Sequence, residues 1–286
     1  MTYSEIIKSA REQKKAIGHF NTSNLEILKG IIEAAKELSV PVIIGASETE
    51  RDFIGIPQIV ALVKTYKDQG VTVFLNADHT YSFERVKEAV DAGFDSVIFD
   101  GAKLSLDENI RITKQCVDYV KSKYPNVLIE GELGYIGTSS KLLDTIPEGA
   151  SVGDKMLTTP EDAKRFVEET GVDLFAPAVG NIHGMLKDMS DPRLNIGRIK
   201  EISEVVGVPL VLHGSSGNNK EDIQNAIENG VAIVHMSTEI RVAYKNALKR
   251  SLNESDEVAP YKLAETAVLA VKDLVKEKIQ IFSRVI

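Results

Sequence analysis

Eight short apolar runs alternate with longer amphipathic stretches along this chain, and that alternation limits what it can fold into more than any single residue does. The runs lie at 16–21, 41–47, 72–78, 96–101, 128–134, 173–180, 209–214 and 231–238. Most lack polar alternation, as expected of parallel strands covered on both faces. The amphipathic stretches 24–38, 57–69, 83–91, 107–123, 160–169, 195–206 and 220–228 fall between the strands, and 240–252 and 261–278 follow the last one. Gly70, Gly93, Gly171, Gly207 and Gly230 each close a helix just before a strand. Thr159-Pro160-Glu161-Asp162 opens one, with a capping hydroxyl, a proline in the first turn and early acids.

Eight strand–helix units close naturally into an α/β fold of the (β/α)8 TIM-barrel type, for which about 250 residues is typical. The 286 residues are therefore read as one domain, 1–286, with additional C-terminal helices. A doubly wound sheet is the competing architecture, but no Gly-x-Gly-x-x-Gly turn follows the first strand. With 43% apolar and 27% charged residues the chain has ordinary core-forming material. A net charge of −8 argues against general nucleic-acid binding, which needs a basic face. The single Cys116, in a helical stretch, excludes an intramolecular disulfide and suggests a reducing compartment. No signal-peptide pattern opens the chain, and no apolar run nears the ~18 residues of a membrane span. A cytoplasmic protein without a membrane partner is the expectation.

Three of the five histidines occupy equivalent places: His79 ends strand three, His183 follows strand six and His213 ends strand seven. In a barrel these ends share the catalytic face. Three converging neutral imidazoles with an open position make a catalytic metal site. Zinc fits best, and imidazole also suits iron, cobalt and nickel.

Asp100 ends strand four, and Glu130 and Glu132 share one side of strand five, where buried carboxylates need a cation, a lysine or a proton. A second cation, a shell supporting the metal and, for Glu130, a structural salt bridge all remain open. His213-Gly214-Ser215-Ser216-Gly217 is a small-residue turn able to approach an anion closely, and Met236-Ser237-Thr238 ends strand eight. Loops after strands seven and eight are the usual phosphate site of a barrel. The connection from 135 to 159 is too long for a simple turn and reads either as an active-site lid or as a surface insertion.

Over nearly its whole length the chain resembles the class II, metal-dependent fructose-bisphosphate and tagatose-bisphosphate aldolases. The resemblance rests on Phe20-Asn21, Asp78-His79, Asp100-Gly101, Glu130-Gly131-Glu132-Leu133-Gly134, Gly180, His183-Gly184, His213-Gly214-Ser215-Ser216-Gly217 and Thr238-Glu239. It implies that His79, His183 and His213 bind a catalytic zinc and that Asp78 is the acid/base. It implies that Gly184, Gly214, Ser215, Ser216 and the segment His235, Met236, Ser237, Thr238 hold a dihydroxyacetone phosphate unit. Asn21 and Ser47 would face the other half of the substrate, and Asp100 and Glu132 a second cation position. The family commonly forms dimers or tetramers, so a homo-oligomer is implied.

The chemistry agrees with the resemblance. Retro-aldol cleavage leaves an enediolate that a Lewis-acid metal stabilises, while a neighbouring carboxylate takes the hydroxyl proton. A Schiff-base route would need a lysine at a strand end, and Lys103 and Lys187 lie beyond theirs.

Departures from the family pattern bear on the substrate. Strand three reads Asn76-Ala77-Asp78-His79 where the family usually has His-Leu-Asp-His. Strand one carries His19 before Phe20-Asn21, and His235 replaces the asparagine of Asn-x-x-Thr. The lid reads Ile136-Gly137-Thr138-Ser139-Ser140, without the carboxylate of Gly-Gly-x-Glu-Asp; Asp144 or Glu148 could substitute. His19, His235 and Asn76 are therefore candidates for tuning the substrate. The expected activity is cleavage of a phosphorylated ketose, by default fructose 1,6-bisphosphate, to dihydroxyacetone phosphate and an aldehyde. An epimerase or isomerase using the same enediolate, an aldolase for another substrate and a non-catalytic sugar-phosphate binder are the alternatives.

Overall fold

The computed structural model describes residues 1–283 apart from Ser139 and Asp188, and at Lys155 the backbone alone. Eight parallel strands close a barrel: β1 (Ile17–Asn21), β2 (Val42–Ala46), β3 (Val73–Thr80), β4 (Ser96–Phe99), β5 (Leu128–Leu133), β6 (Leu174–Pro177), β7 (Leu210–Leu212) and β8 (Val231–Met236). Each pairs with its sequence neighbours, and β8 returns to β1. The fold is the expected (β/α)8 barrel.

The outer helices are α2 (Leu25–Leu38), α4 (Ile56–Asp68), α5 (Phe83–Ala92), α6 (Leu106–Lys123), α7 (Pro160–Thr170), α8 (Ile196–Val206), α9 (Lys220–Glu228), α10 (Thr238–Glu254) and α11 (Pro260–Ser283). Their starts follow capping chemistry: Asn24, Ser82, Ser105, Thr159 and Asn219 each accept a backbone N–H from the first helical turn. Two further helices, α1 (Tyr3–Glu12) and α3 (Glu48–Ile54), were not anticipated. Among the described residues no helix is long and apolar enough to cross a membrane.

The core has two parts. A large outer layer between strands and helices contains Phe20, Ile44, Leu75, Val97, Ile129, Phe175, Leu212 and Val234. A smaller inner layer of Ile17, Ile43, Leu128, Leu174, Val211 and Ile233 fills the amino-terminal end of the barrel, where Tyr3 and Ile7 of α1 plug it. Strand alternation separates the two sets. On β1, Ile17 points inward, Phe20 joins the outer layer, and His19 and Asn21 continue the inward row toward the carboxyl end. The barrel thus runs from an apolar floor to a polar upper storey.

Candidate active site

The register of the strands gathers the polar storey. His19 pairs with His235 across β1 and β8, and their rings stack with centroids 3.4 Å apart and 3° between planes. A side chain on Gly45 of β2, which pairs with Asn21 of β1, would start 2.1 Å from the His19 ring, so glycine there is what admits the pair. Asn76 Oδ1 accepts from His19 Nε2–H at 3.1 Å, and its Nδ2 donates to Ser96 Oγ at 2.8 Å.

Asp78 and His79 are consecutive, and a regular strand would send them to opposite faces. The β3–β4 register shifts between Ala77 and Thr80, and His79 adopts a left-handed φ of 41°. This bulge turns both side chains into the barrel mouth. Arg51, fully buried, braces it: one guanidinium nitrogen donates to the carbonyls of Ala46 and Asp78 at 2.7 and 3.1 Å, and the other to Thr80 Oγ1 at 3.2 Å.

His213 Nδ1 lies 3.1 Å from His79 Nε2, and donor atoms of His79, His183 and His213 all lie within 4.8 Å of one another. Tetrahedral zinc with nitrogens at about 2.0–2.1 Å needs paired nitrogens about 3.3 Å apart, so the donor set fits one ion. Two of the rings also have a partner behind them. His79 Nδ1 meets Asp100 Oδ2 at 2.9 Å and Glu132 Oε2 at 3.3 Å, and His213 Nε2 meets Glu130 Oε1 at 2.7 Å. Such outer acceptors fix which nitrogen faces an ion. The stacked pair His19–His235 does not suit chelation, because lone pairs in parallel planes do not converge.

Burial governs the charges. It pushes His183 and His213 down to about 3, keeping both rings neutral as metal binding requires. It pushes Glu130 up to about 8. At His79 burial is outweighed by the carboxylates of Asp78, Glu132 and Asp100, which hold its pKa well above the ordinary value. Asp78 is likewise buried, yet His79, His235 and His19 keep it well below the usual carboxylate range. It is therefore an ionised carboxylate whose Oδ2 receives Asn21 Nδ2 at 2.8 Å.

Asn21, Asp78, the three histidines, His235 and Ser140 line one cavity at the carboxyl end of the strands. Gly184, Gly214, Ser216, Ser237 and Thr238 complete it. Gly214 has φ of 57°, and a Cβ there would meet the Ile182 carbonyl at 2.2 Å, so a glycine is what lets the loops after β6 and β7 come this close. The other candidate residues lie outside the cavity wall. Ser215 is buried with its Oγ on the His235 carbonyl and Met236 Sδ, and Met236 faces the outer core, as its place after inward-facing His235 dictates. These two residues can offer a ligand only backbone atoms. Ser47 caps α3 and donates its hydroxyl to Glu50 at 2.9 Å. Asp100 and Glu132 stand behind His79 in a neighbouring pocket with Tyr81, Lys103 and Tyr135.

The loop after β5 is tied down. Its short strand Leu142–Leu143 pairs in parallel with Met185–Leu186, just beyond His183, and the His183 N–H donates to the Ile136 carbonyl at 2.8 Å. Asp144 is exposed and paired with Lys187 at 2.7 Å, and Lys103 sits over the Tyr135 ring at 5.4 Å. Ser139 of the lid stretch lies outside the described residues.

Two residues at the site escaped the sequence reading. Glu50 accepts from Asn21, and Arg241 joins Glu50 at 2.6 Å to the Ser140 carbonyl at 3.1 Å. The capping-box spacing Ser47-x-x-Glu50 was the available signal for Glu50.

Fold and site together define a (β/α)8-barrel protein with a candidate metal centre at the carboxyl face of its strands. A family model for class II fructose-bisphosphate aldolase matches residues 1–285. A fructose-bisphosphate aldolase of Staphylococcus aureus is 38% identical over 287 residues, covering 99% of this chain and 96% of its own. One from Geobacillus stearothermophilus is 35% identical over the same shares. The X-ray structure of the YdjI aldolase from Escherichia coli K12 matches with a TM-score of 0.83 at 32% identity, over 98% of this chain and 96% of that one. The chain belongs to the class II fructose-bisphosphate aldolase family, whose members are metal-dependent carbon–carbon lyases.

Proposed function

We propose that the protein cleaves a phosphorylated ketose to dihydroxyacetone phosphate and an aldehyde, with zinc held by His79, His183 and His213. Its relatives are named for a fructose bisphosphate, so fructose 1,6-bisphosphate is the first compound to test. The observation that carries this reading is the 3.1 Å approach of His213 Nδ1 to His79 Nε2 beside an ionised, buried Asp78. When bound, the metal supplies a Lewis acid that stabilises negative charge on the three-carbon fragment.

The chain's own residues do the remainder. Asp78 accepts the proton of the substrate hydroxyl as the carbon–carbon bond breaks, the bond's electron pair stays with the three-carbon fragment, and the carbon that held it then takes up one proton to give dihydroxyacetone phosphate. Asn21 fixes Asp78 by its amide hydrogen bond. Asp100, Glu132 and Glu130 orient His79 and His213, which favours a supporting-shell role over a second cation for the first two. The loop after β7 and the start of α10 offer N–H groups and hydroxyls to the phosphate, chiefly at Gly214, Ser216, Ser237 and Thr238. The loop after β5 covers the cavity through Ser140, and His235, with His19 stacked behind it, shapes its floor.

Metal analysis of the purified protein, followed by a coupled assay for dihydroxyacetone phosphate over a panel of ketose phosphates, tests the proposal. Release that chelation abolishes and zinc restores is the expected result. A protein that binds no divalent metal, or that exchanges substrate protons without forming triose products, would overturn it.

A further inference from the structure

We infer that the aldehyde half of the substrate is uncharged, so that the enzyme prefers ketose 1-phosphates to ketose bisphosphates. The inference rests on the aldolase reading above and narrows its substrate class.

Its basis is Glu50. This side chain is 5% exposed and fully engaged: Oε2 accepts from Asn21 Nδ2 at 3.1 Å and from the Ser47 N–H and hydroxyl at 2.9 Å each, and Oε1 from Arg241 at 2.6 Å. The same Asn21 amide donates to Asp78 at 2.8 Å. A single amide thus bridges the proposed base and a second carboxylate. With the three-carbon phosphate at the loops after β7 and β8, the remaining carbons leave Asp78 past Asn21, toward this carboxylate.

A phosphate on that end would carry a charge of about −1.5 to −2. Arg241 already balances the charge of Glu50, so a phosphate arriving beside Asn21 would have to compete with Glu50 for that guanidinium and leave one anion without a counter-charge. The groups that could receive it are already committed. The Ser47 hydroxyl proton goes to Glu50, Arg241 divides its guanidinium between Glu50 and the Ser140 carbonyl, and Arg51 is buried on backbone carbonyls. Arg241 and Arg51 both reach this corner, and both are already spoken for. A sugar hydroxyl meets no such conflict, because it can donate to a carboxylate and accept from an amide.

The test measures kcat/KM of the zinc-loaded full-length enzyme for fructose 1-phosphate and fructose 1,6-bisphosphate, reading dihydroxyacetone phosphate release. A preference of tenfold or more for the monophosphate is expected; equal use, or preference for the bisphosphate, overturns the inference. Glu50→Gln keeps the shape, removes the charge and loosens Arg241. It should move the ratio at least tenfold toward the bisphosphate, and an unmoved ratio overturns the assignment to Glu50. Should that variant fail to fold, the wild-type condensation reaction serves instead: glyceraldehyde should give a lower KM than glyceraldehyde 3-phosphate, and the reverse order refutes the inference. Absence of product from every ketose phosphate sinks the aldolase reading itself, a different outcome from a wrong preference.

Discussion

Glu130 stands behind His213, and replacing it measures how far an outer carboxylate strengthens the candidate metal centre. The two side chains are 1% and 2% exposed and meet at 2.7 Å. For His213 Nδ1 to present a lone pair to an ion, Nε2 must carry the proton and donate it to Glu130. A hydrogen bond to a charged partner contributes about 1.5–3 kcal/mol, a neutral one about 0.5–1.5. Glu130→Gln retains an acceptor in place, so the loss is roughly 1–1.5 kcal/mol, or about tenfold in zinc affinity. Glu130→Leu leaves Nε2–H buried and unpartnered, costing about 1–3 kcal/mol, and should weaken binding up to about a hundredfold. The assay is a titration of metal-free protein with zinc against a chromophoric chelator, run above pH 8 because burial pushes Glu130 up to about 8. Circular dichroism melts report whether each variant is folded. Equal affinities in the wild type and both folded variants would refute the reasoning.

Three further outcomes are expected. The double variant His19→Ala with His235→Asn removes the stacked pair and should change rate or substrate preference; identical kinetics over the ketose phosphate panel would relegate the pair to filling space. Phe282→Ala deletes a fully buried ring of α11 packed near Phe20, with centroids 6.3 Å apart, and should cost about 3–5 kcal/mol in denaturant unfolding; a loss below about 1 kcal/mol would contradict the packing. Glu37 of α2 bonds Lys272 and Lys276 of α11, which lower its pKa to about 2 from 4.5. A depressed folded-state value means stabilisation that is complete above the unfolded value and lost as pH falls toward 2. Glu37→Gln should therefore melt below wild type at pH 7 in low salt, with the gap closing in acid and in high salt; a gap insensitive to both would point to some other cause.

The strands were legible because a parallel barrel strand, covered on both faces, leaves an uninterrupted apolar run. Their ends were less so. β6 stops at Pro177, not Gly180, because the backbone bends at Gly180 (φ 101°) and His183 is carried on a loop. The α1 plug went unseen although Thr2-x-x-Glu5 is a capping box, and α3 is only two turns long with no apolar stripe to announce it. At the site, histidines at strand ends could be named from the sequence, but the means by which neighbours Asp78 and His79 reach one cavity could not. That depends on a bulge braced by Arg51 of α3, a contact invisible to any local pattern. Ser215 and Met236 show the opposite limit: a motif names positions, while strand alternation turns Met236 to the outer core and the Ser215 hydroxyl is taken by the His235 carbonyl.

The pairing of Leu142–Leu143 with Met185–Leu186 makes the covering loop and the loop bearing His183 one mechanical piece. A displacement of the cover would pull on the segment that follows His183. Anyone transplanting this loop into another barrel must therefore carry both segments together. Length changes in either should be tolerated only at its far tip, away from the shared rungs.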